Sequence, residues 1–336
     1  MGERPSFAEL NRRADLDAQL RPPSLDQFVG QARVRNNLSI AIEATKKRGE
    51  TLDHVLLSGM PGLGKTTLAY VIARELGVDV RVTSGPALER TGDLVGMLST
   101  LKRGDILFID EVHRLPRVLE EYLYSAMEDY AIDLVLDQGP AARSVRLTLE
   151  RFTLVGATTR EGLLSGPFRS RFGLLEKLEL YPEDDLVRIV RRSAGLLETA
   201  IDASALDLVA ARARGTPRVA NRLLRRLRDL ALVRGRDVVD AATAREAFAH
   251  LAIDDRGLEE TDRRILLCLE RLGGGPTGLK TVAAAVGEEE DTLESVYEPY
   301  LLSLGFLERT PRGRKITPAG RAHLGLEPRE SAEPSA

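Results

Sequence analysis

The chain has 336 residues, with 48 Lys plus Arg against 51 Asp plus Glu for a net charge of −3, and 43% hydrophobic and 29% charged residues, close to ordinary globular usage. Two or three domains are expected at this length; no apolar run reaches the roughly 18 residues of a membrane span, and residues 1–5 lack the apolar core of a signal peptide, so a cytoplasmic protein is expected. The single Cys268 and four scattered His argue against a disulfide framework or a Cys- or His-rich metal site, and the near-neutral total, although it holds 41 Arg and only 7 Lys, does not announce a nucleic-acid binder.

In the first part of the chain, short apolar runs alternate with helical patterns. Residues 54–58 read as a buried strand, followed by a glycine loop and a helix over 66–76. A second strand is expected over 79–83, a helix over 94–101 and a third strand over 105–110. Strands separated by helices imply an α/β domain with a parallel sheet. The loop Gly59-Met60-Pro61-Gly62-Leu63-Gly64-Lys65-Thr66 fits G-x₄-G-K-[ST] between a strand and a helix. Its glycines let backbone N–H groups converge on phosphate oxygens, and the helix N-terminus adds a favourable dipole. Gly62, Leu63, Gly64, Lys65, Thr66 and Thr67 are thus candidate nucleotide-binding residues, with Lys65 reaching the terminal phosphates and the Thr66 hydroxyl on Mg²⁺. In Ile106-Leu107-Phe108-Ile109-Asp110-Glu111, four apolar residues bury a strand and two carboxylates emerge at its C-terminal end. Asp110 is expected to hold Mg²⁺ and Glu111 to orient and polarise a water, while His113 reads as structural or as a contact to a neighbour.

Residues 132–149 alternate apolar and polar positions and are expected to form a β-hairpin, whose apolar face either packs on its own sheet or docks a partner. Residues 153–160 form a strand with a polar end, suited to placing a hydroxyl near a γ-phosphate. In Gly166-Pro167-Phe168-Arg169-Ser170-Arg171 two arginines stand two apart, about 200° round a helix, so only one of them can face a given phosphate.

After Pro182 the pattern is nearly all helical, with helices over 202–214, 216–234 and 240–251. Thr216 is the expected N-cap of the second, Pro217 its first-turn residue, and Arg218 points from its start. Asp254-Asp255-Arg256-Gly257 reads as a linker; helices over 261–272, 278–286 and 291–304, then a hairpin turning at Thr310-Pro311-Arg312-Gly313, give a winged-helix outline. Within 306–321 Arg309, Arg312, Arg314, Lys315 and Arg321 oppose only Glu308, a local charge of +4, and guanidinium groups suit phosphates. The tail is expected to be disordered. The expected domains are 1–181, 182–253 and 254–326, with a tail over 327–336.

The order of P-loop, acidic strand end, Thr158-Thr159, paired arginines and Gly215-Thr216-Pro217-Arg218 resembles the AAA+ ATPases, and Arg21-Pro22-Pro23, Phe28-Val29-Gly30-Gln31, Gly139-Pro140-Ala141-Ala142-Arg143 and Arg309-Thr310-Pro311-Arg312-Gly313-Arg314 narrow the resemblance to the RuvB family of branch-migration motors, over roughly residues 7–325. That resemblance implies an AAA+ P-loop domain, an all-helical lid and a C-terminal winged helix. It implies an ATP hydrolase using ATP and Mg²⁺, assembled as a homohexamer that moves double-stranded DNA at Holliday junctions in recombination and repair. The junction-binding protein RuvA would load it, and RuvC would resolve the junction in the same complex. By the family pattern Thr159 is sensor 1, Arg218 sensor 2 and Arg171 the arginine finger acting in trans, with Arg169 at the subunit contact. Leu20, Arg21 and Tyr181 resemble residues that enclose adenine, and Glu128, Asp129 and Tyr130 a further part of the nucleotide site. Arg309 and Arg314 match DNA-contacting positions, with Arg312 beside them, and the hairpin's Val145 and Leu147 are candidates for a hydrophobic contact with RuvA. No DNA role is carried onto Glu288-Glu289-Glu290-Asp291, where relatives often carry a basic residue. The alternative is an ATP-gated winged-helix switch, such as an origin initiator or clamp-loader-like protein, that acts by occupancy; a small-molecule P-loop kinase has no use for Arg218 or a basic wing.

Overall fold

The computed structural model describes residues 19–135 and 144–327, and the chain divides into two compact units, Met1–Leu196 and Leu197–Ala336. The expected tail from position 328 on, and the Gly139–Arg143 motif, lie outside the described residues. Among the described residues no helix is long and apolar enough to cross a membrane.

The first unit is built on a five-stranded parallel sheet in the order β2-β3-β6-β1-β7, with β1 Val55–Ser58, β2 Val80–Ser84, β3 Ile106–Asp110, β6 Thr153–Thr158 and β7 Leu174–Lys177. The central strands are buried on both faces, all but the Asp110 end of β3, which is why β1, β3 and β6 read as near-continuous apolar runs rather than alternating ones. Helix α1 (Ala32–Arg48) precedes the sheet, α2 (Lys65–Leu76), α3 (Thr91–Ser99) and α4 (Arg117–Glu128) fall between its strands, and Phe108, Phe152 and Phe168 anchor the core, each side chain contributing about 1.5–3 kcal/mol by burial. Helix α3 starts three residues before the apolar pattern suggests, because Asp93 Oδ2 accepts the Arg90 N–H at 3.1 Å and fixes the first turn. The expected hairpin forms: β4 (Ala131–Val135) pairs antiparallel with β5 (Ser144–Thr148), placing Ile132 opposite Leu147. A short α5 (Gly166–Arg169) precedes β7, and α6 (Glu183–Leu196) ends the unit. The compact unit therefore extends past position 181 and includes α6, a helix the sequence assigns to the lid.

The second unit joins three lid helices, α7 (Ala203–Arg212), α8 (Pro217–Val233) and α9 (Ala241–His250), to the winged helix. Thr216 caps α8 as expected, its hydroxyl accepting the Val219 N–H at 3.4 Å, and Ala220, Leu223, Leu224, Leu227 and Ala231 form its buried face. Residues 254–257 are not a free linker but a pinned turn. Asp254 Oδ1 accepts the Arg256 and Leu258 N–H groups, Arg212 pairs with Asp255, and Arg214 donates to the Gly257 carbonyl at 2.8 Å. Gly257 itself is required, since a Cβ there would stand 2.5 Å from the Arg212 carbonyl.

The winged helix packs Ile265, Leu266 and Leu269 of α10 (Glu260–Arg271) against Val282 of α11 (Leu279–Val286), Leu301 and the hairpin residue Ile316. The last long helix is not continuous as expected. It runs as α12 (Glu290–Thr292), a π turn over Leu293–Tyr297 and α13 (Glu298–Ser303). Pro299 supplies the reason: it has no N–H to give the Ser295 carbonyl, and its ring pushes that turn open. The hairpin β8 (Leu307–Thr310) and β9 (Gly313–Ile316) follows, then α14 (Pro318–His323).

Candidate nucleotide site and basic wing

Sheet order puts three functional strand ends side by side. The P-loop leaves β1, the acidic pair leaves β3, and β6 lies between them, delivering Thr158 and Thr159. Within the loop Gly59, Gly62 and Gly64 take φ of 141°, 83° and 102°, which side chains rarely adopt, and a Cβ on Gly59 would stand 2.7 Å from the Leu178 carbonyl. The Lys65 ammonium folds back on the loop and donates to the Gly59 and Met60 carbonyls at 2.8 and 3.0 Å. Thr66 and Thr67 continue into α2, whose first backbone N–H groups carry no intrahelical partner.

At the end of β3, Glu111 sits in left-handed backbone (φ 47°), a strained conformation that turns its carboxylate back toward β6. Thr159 Oγ1 donates to Glu111 Oε2 at 3.0 Å, so the expected sensor hydroxyl and the expected water-orienting carboxylate touch. Beside them Thr158, fully buried, lies 2.9 Å from His113 Nδ1, which is 3.3 Å from Glu111 Oε2. His113 thus steadies Glu111, in line with its structural reading. The Asp110 carboxylate accepts the Glu111 N–H at 3.0 Å.

The residues around Tyr181 form a second layer beside the P-loop. Tyr181 donates from its hydroxyl to the Leu63 carbonyl at 3.1 Å, and burial holds its pKa well above the ordinary phenol value. Gln31 exchanges two hydrogen bonds with the Glu179 backbone, at 2.7 and 3.1 Å. The Phe28-Val29-Gly30-Gln31 motif acquires a physical meaning here: the Phe28 ring lies under Gly64, and a Cβ on Gly30 would stand 2.8 Å from the Tyr181 ring. The Leu20 and Arg21 carbonyls both accept from the Arg192 guanidinium, at 2.8 and 3.2 Å, while the Arg21 guanidinium stacks 4.1 Å from the Tyr70 ring centroid. Arg192 and Tyr70 carried no motif signal; their partners lie up to 172 positions away in sequence.

Arg171 lies one residue past the C-cap of α5, not on the helix with Arg169, so the 200° helical argument does not separate the two. Their partners do: Arg171 pairs with Glu128 and Arg169 with Glu161, both at 2.7 Å. Asp129 pairs with Arg146 of the hairpin at 3.4 Å, and Tyr130 stacks under Arg151. On that hairpin Val145 is 48% exposed, whereas Leu147 packs partly against the core of the first unit. In the second unit Arg218 stands exposed in the first turn of α8.

The wing departs from its sequence arithmetic. Arg309 and Arg314 are cross-strand partners, and both donate to Glu298, at 2.5–3.4 Å, with Glu294 at 3.4 and 3.5 Å; Arg321 pairs with Glu270. These three carboxylates come from outside the 306–321 window, so the local +4 overstates the charge that the wing presents. Arg312 at the turn and Lys315 are exposed and make no ion pair among the described residues.

Residues 20–178 match the model of the Holliday junction DNA helicase RuvB P-loop domain, residues 181–254 the RuvB AAA lid domain and residues 255–325 the RuvB C-terminal winged helix domain. The chain is 57% identical over 325 residues, 96% of each sequence, to a Holliday junction branch migration complex subunit RuvB of Latilactobacillus sakei subsp. sakei (strain 23K). Among solved structures it is similar to a Thermotoga maritima RuvB described as a Holliday junction branch migration motor, at 50% identity and a TM-score of 0.85 over 93% of this chain and 100% of that one. A lysine-to-arginine mutant of the Thermotoga maritima protein gives 0.86 at 50% identity, over 92% and 99% of the two chains. With its sheet order, lid and wing all accounted for, the chain belongs to the RuvB family of AAA+ ATPases.

Proposed function

We propose that this protein is the ATP-driven motor of Holliday junction branch migration, a double-stranded DNA translocase that works in the cytoplasm as a homohexameric ring with RuvA, and with RuvC in the same complex. One observation carries the reading: a single chain joins a P-loop site, in which Thr159 already touches Glu111, to a winged helix with a basic hairpin, in the same domain order as its RuvB relatives. An occupancy switch has no comparable support from those relatives.

The roles follow from chemistry. Phosphate oxygens of ATP would replace the carbonyls that now hold the Lys65 ammonium, within the cradle of Gly62, Leu63, Gly64, Thr66 and Thr67. The Thr66 hydroxyl and Asp110 carboxylate are hard oxygen donors that suit Mg²⁺, which supplies positive charge to the β- and γ-phosphates. Glu111 orients and polarises the attacking water, and Thr159 controls Glu111 through their hydrogen bond. Arg171 serves a neighbouring subunit as the finger, leaving Glu128 to do so, and Glu128, Asp129 and Tyr130 lie on the same segment of that contact. Arg218 acts as sensor 2, and Leu20, Arg21 and Tyr181 enclose adenine. Branch migration must pass any sequence, so Arg309, Arg312 and Arg314 meet phosphates rather than base edges. Val145 docks RuvA, with Leu147 behind it.

The deciding experiment mixes the protein with RuvA, Mg²⁺, ATP and a synthetic four-way junction. ATP-dependent conversion of the junction to duplex products is expected; nucleotide-dependent binding without conversion would replace the motor by a switch.

A further inference from the structure

Two arginines facing each other across a hairpin repel unless an anion lies between them. Arg309 and Arg314 are in register on β8 and β9, and Glu298 lies between them, 0% exposed. Its Oε2 accepts from Arg309 Nε at 2.8 Å and Nη2 at 2.5 Å, and its Oε1 accepts from Arg314 Nε at 2.5 Å. Glu294, four residues earlier, reaches the Nη2 of both arginines at 3.4 and 3.5 Å. Glu294 lies within the π turn that Pro299 opens over Leu293–Tyr297 and Glu298 directly follows it, and such turns recur at functional sites. Each guanidinium is thereby fixed through Nε and Nη2. The Nη1 of each makes no hydrogen bond among the described residues and keeps its N–H donors for an outside acceptor.

We propose that Glu298, assisted by Glu294, is a positioning residue that aims Arg309 and Arg314 together at DNA phosphate. This rests on the reading of the wing as a DNA contact. Charge and geometry predict opposite outcomes at this position. If Glu298 acted on DNA only through its charge, its removal would strengthen binding, because a carboxylate near a phosphate repels it. If it preorganises two long side chains, its removal makes binding pay the ordering entropy of both, and affinity falls. Full burial of Glu298 and six contacts to the two arginines, counting both carboxylates, favour geometry.

The test measures binding of the full-length chain, with a non-hydrolysable ATP analogue, to a four-way junction across a salt series. Glu298→Gln is expected to weaken binding about tenfold despite adding net positive charge, and to lower the log–log salt slope by about one unit. Glu294→Gln, at a half-exposed site touching the same guanidiniums, is expected to weaken binding about threefold. It decides the matter if Glu298→Gln fails to fold, as read from its melting temperature. Unchanged or tighter binding by the folded Glu298→Gln chain, or by Glu294→Gln where that one decides, overturns the positioning role. The double variant Arg309→Ala/Arg314→Ala separates the two levels. If it binds like the parent, the wing itself leaves the DNA site and the positioning role falls with it; if it binds weakly while Glu298→Gln binds tightly, only the positioning role falls.

Discussion

Arg169 and Arg171 in the first unit and Arg214 and Arg263 in the second are held in opposite ways. In the first unit Arg171 rests on one carboxylate, Glu128, that is itself 57% exposed, and Arg169 on Glu161. In the second, Arg214 donates to Asp262 at 2.5 Å and to the Gly257 carbonyl, and Asp262 is 0% exposed; Arg263 donates to the Leu258 and Ala252 carbonyls at 2.8 and 2.7 Å. An exposed pair contributes about 0–1 kcal/mol and can be abandoned at little cost. A buried charge stripped of its partner costs about 3–5 kcal/mol. An arginine-rich composition therefore contains two populations, one parked where it can leave and one that staples lid to winged helix.

Arg171→Ala gives the largest effect on which this contrast can break. ATP turnover should fall by about 10³–10⁵ while nucleotide binding and melting temperature stay near those of the parent. Mixing this variant with Lys65→Ala chains should restore part of the turnover, since one supplies the finger and the other the P-loop. Normal hydrolysis by Arg171→Ala alone would end its assignment as finger.

Arg214→Ala tests the other population. It should cost about 3–5 kcal/mol in denaturant unfolding of the second unit, because Asp262 is left buried and unpaired. A loss under about 1 kcal/mol would place Arg214 with the parked arginines. The wing falls between the two. Arg309→Ala/Arg314→Ala should lower the salt slope of DNA binding by up to about two units, and Arg312→Ala, which leaves no carboxylate unpaired, by about one with unchanged stability. The hairpin repeats the contrast with apolar residues: Val145→Asp should weaken capture of RuvA without lowering the melting temperature, whereas Leu147→Asp should lower both, because Leu147 also packs against the core.

The same contrast explains what the sequence could reveal. Features written in consecutive residues were legible: the P-loop, the acidic end of β3, Thr159, and the Thr216-Pro217 start of α8. Their order also carried the family. Features made by distant partners were not. The wing's charge was overstated because Glu294, Glu298 and Glu270 lie outside the hairpin that they neutralise. Residues 254–257 looked like a linker because Asp and Gly favour turns, and their pins, Arg212 and Arg214, sit 43 positions earlier. Pro299 was visible but its consequence, the π turn, depends on which neighbours keep the helix running. The hydrogen bond from Thr159 to Glu111 spans 48 positions, and only the parallel sheet order brings the two strand ends together.

The smallest expected effect concerns His54, a buried polar group in the first unit where burial outweighs the nearby Asp53 carboxylate. Its Nδ1 accepts the Leu154 N–H at 2.9 Å, so the neutral ring carries its proton on Nε2 and donates to the Met127 carbonyl at 3.1 Å. Protonating Nδ1 would set two donors against each other in a buried site, and burial already draws the pKa below its ordinary 6.5. The unfolded chain then binds more protons than the folded one between the folded pKa and 6.5. Stability from the neutral ring is complete above 6.5 and is lost as pH falls below it toward the folded value. The melting temperature of the first unit should decline by a few degrees as pH drops from about 8 to about 5. A His54→Asn chain should be less stable throughout but flatter over that range. An equal slope in both chains would assign the pH dependence to groups other than His54.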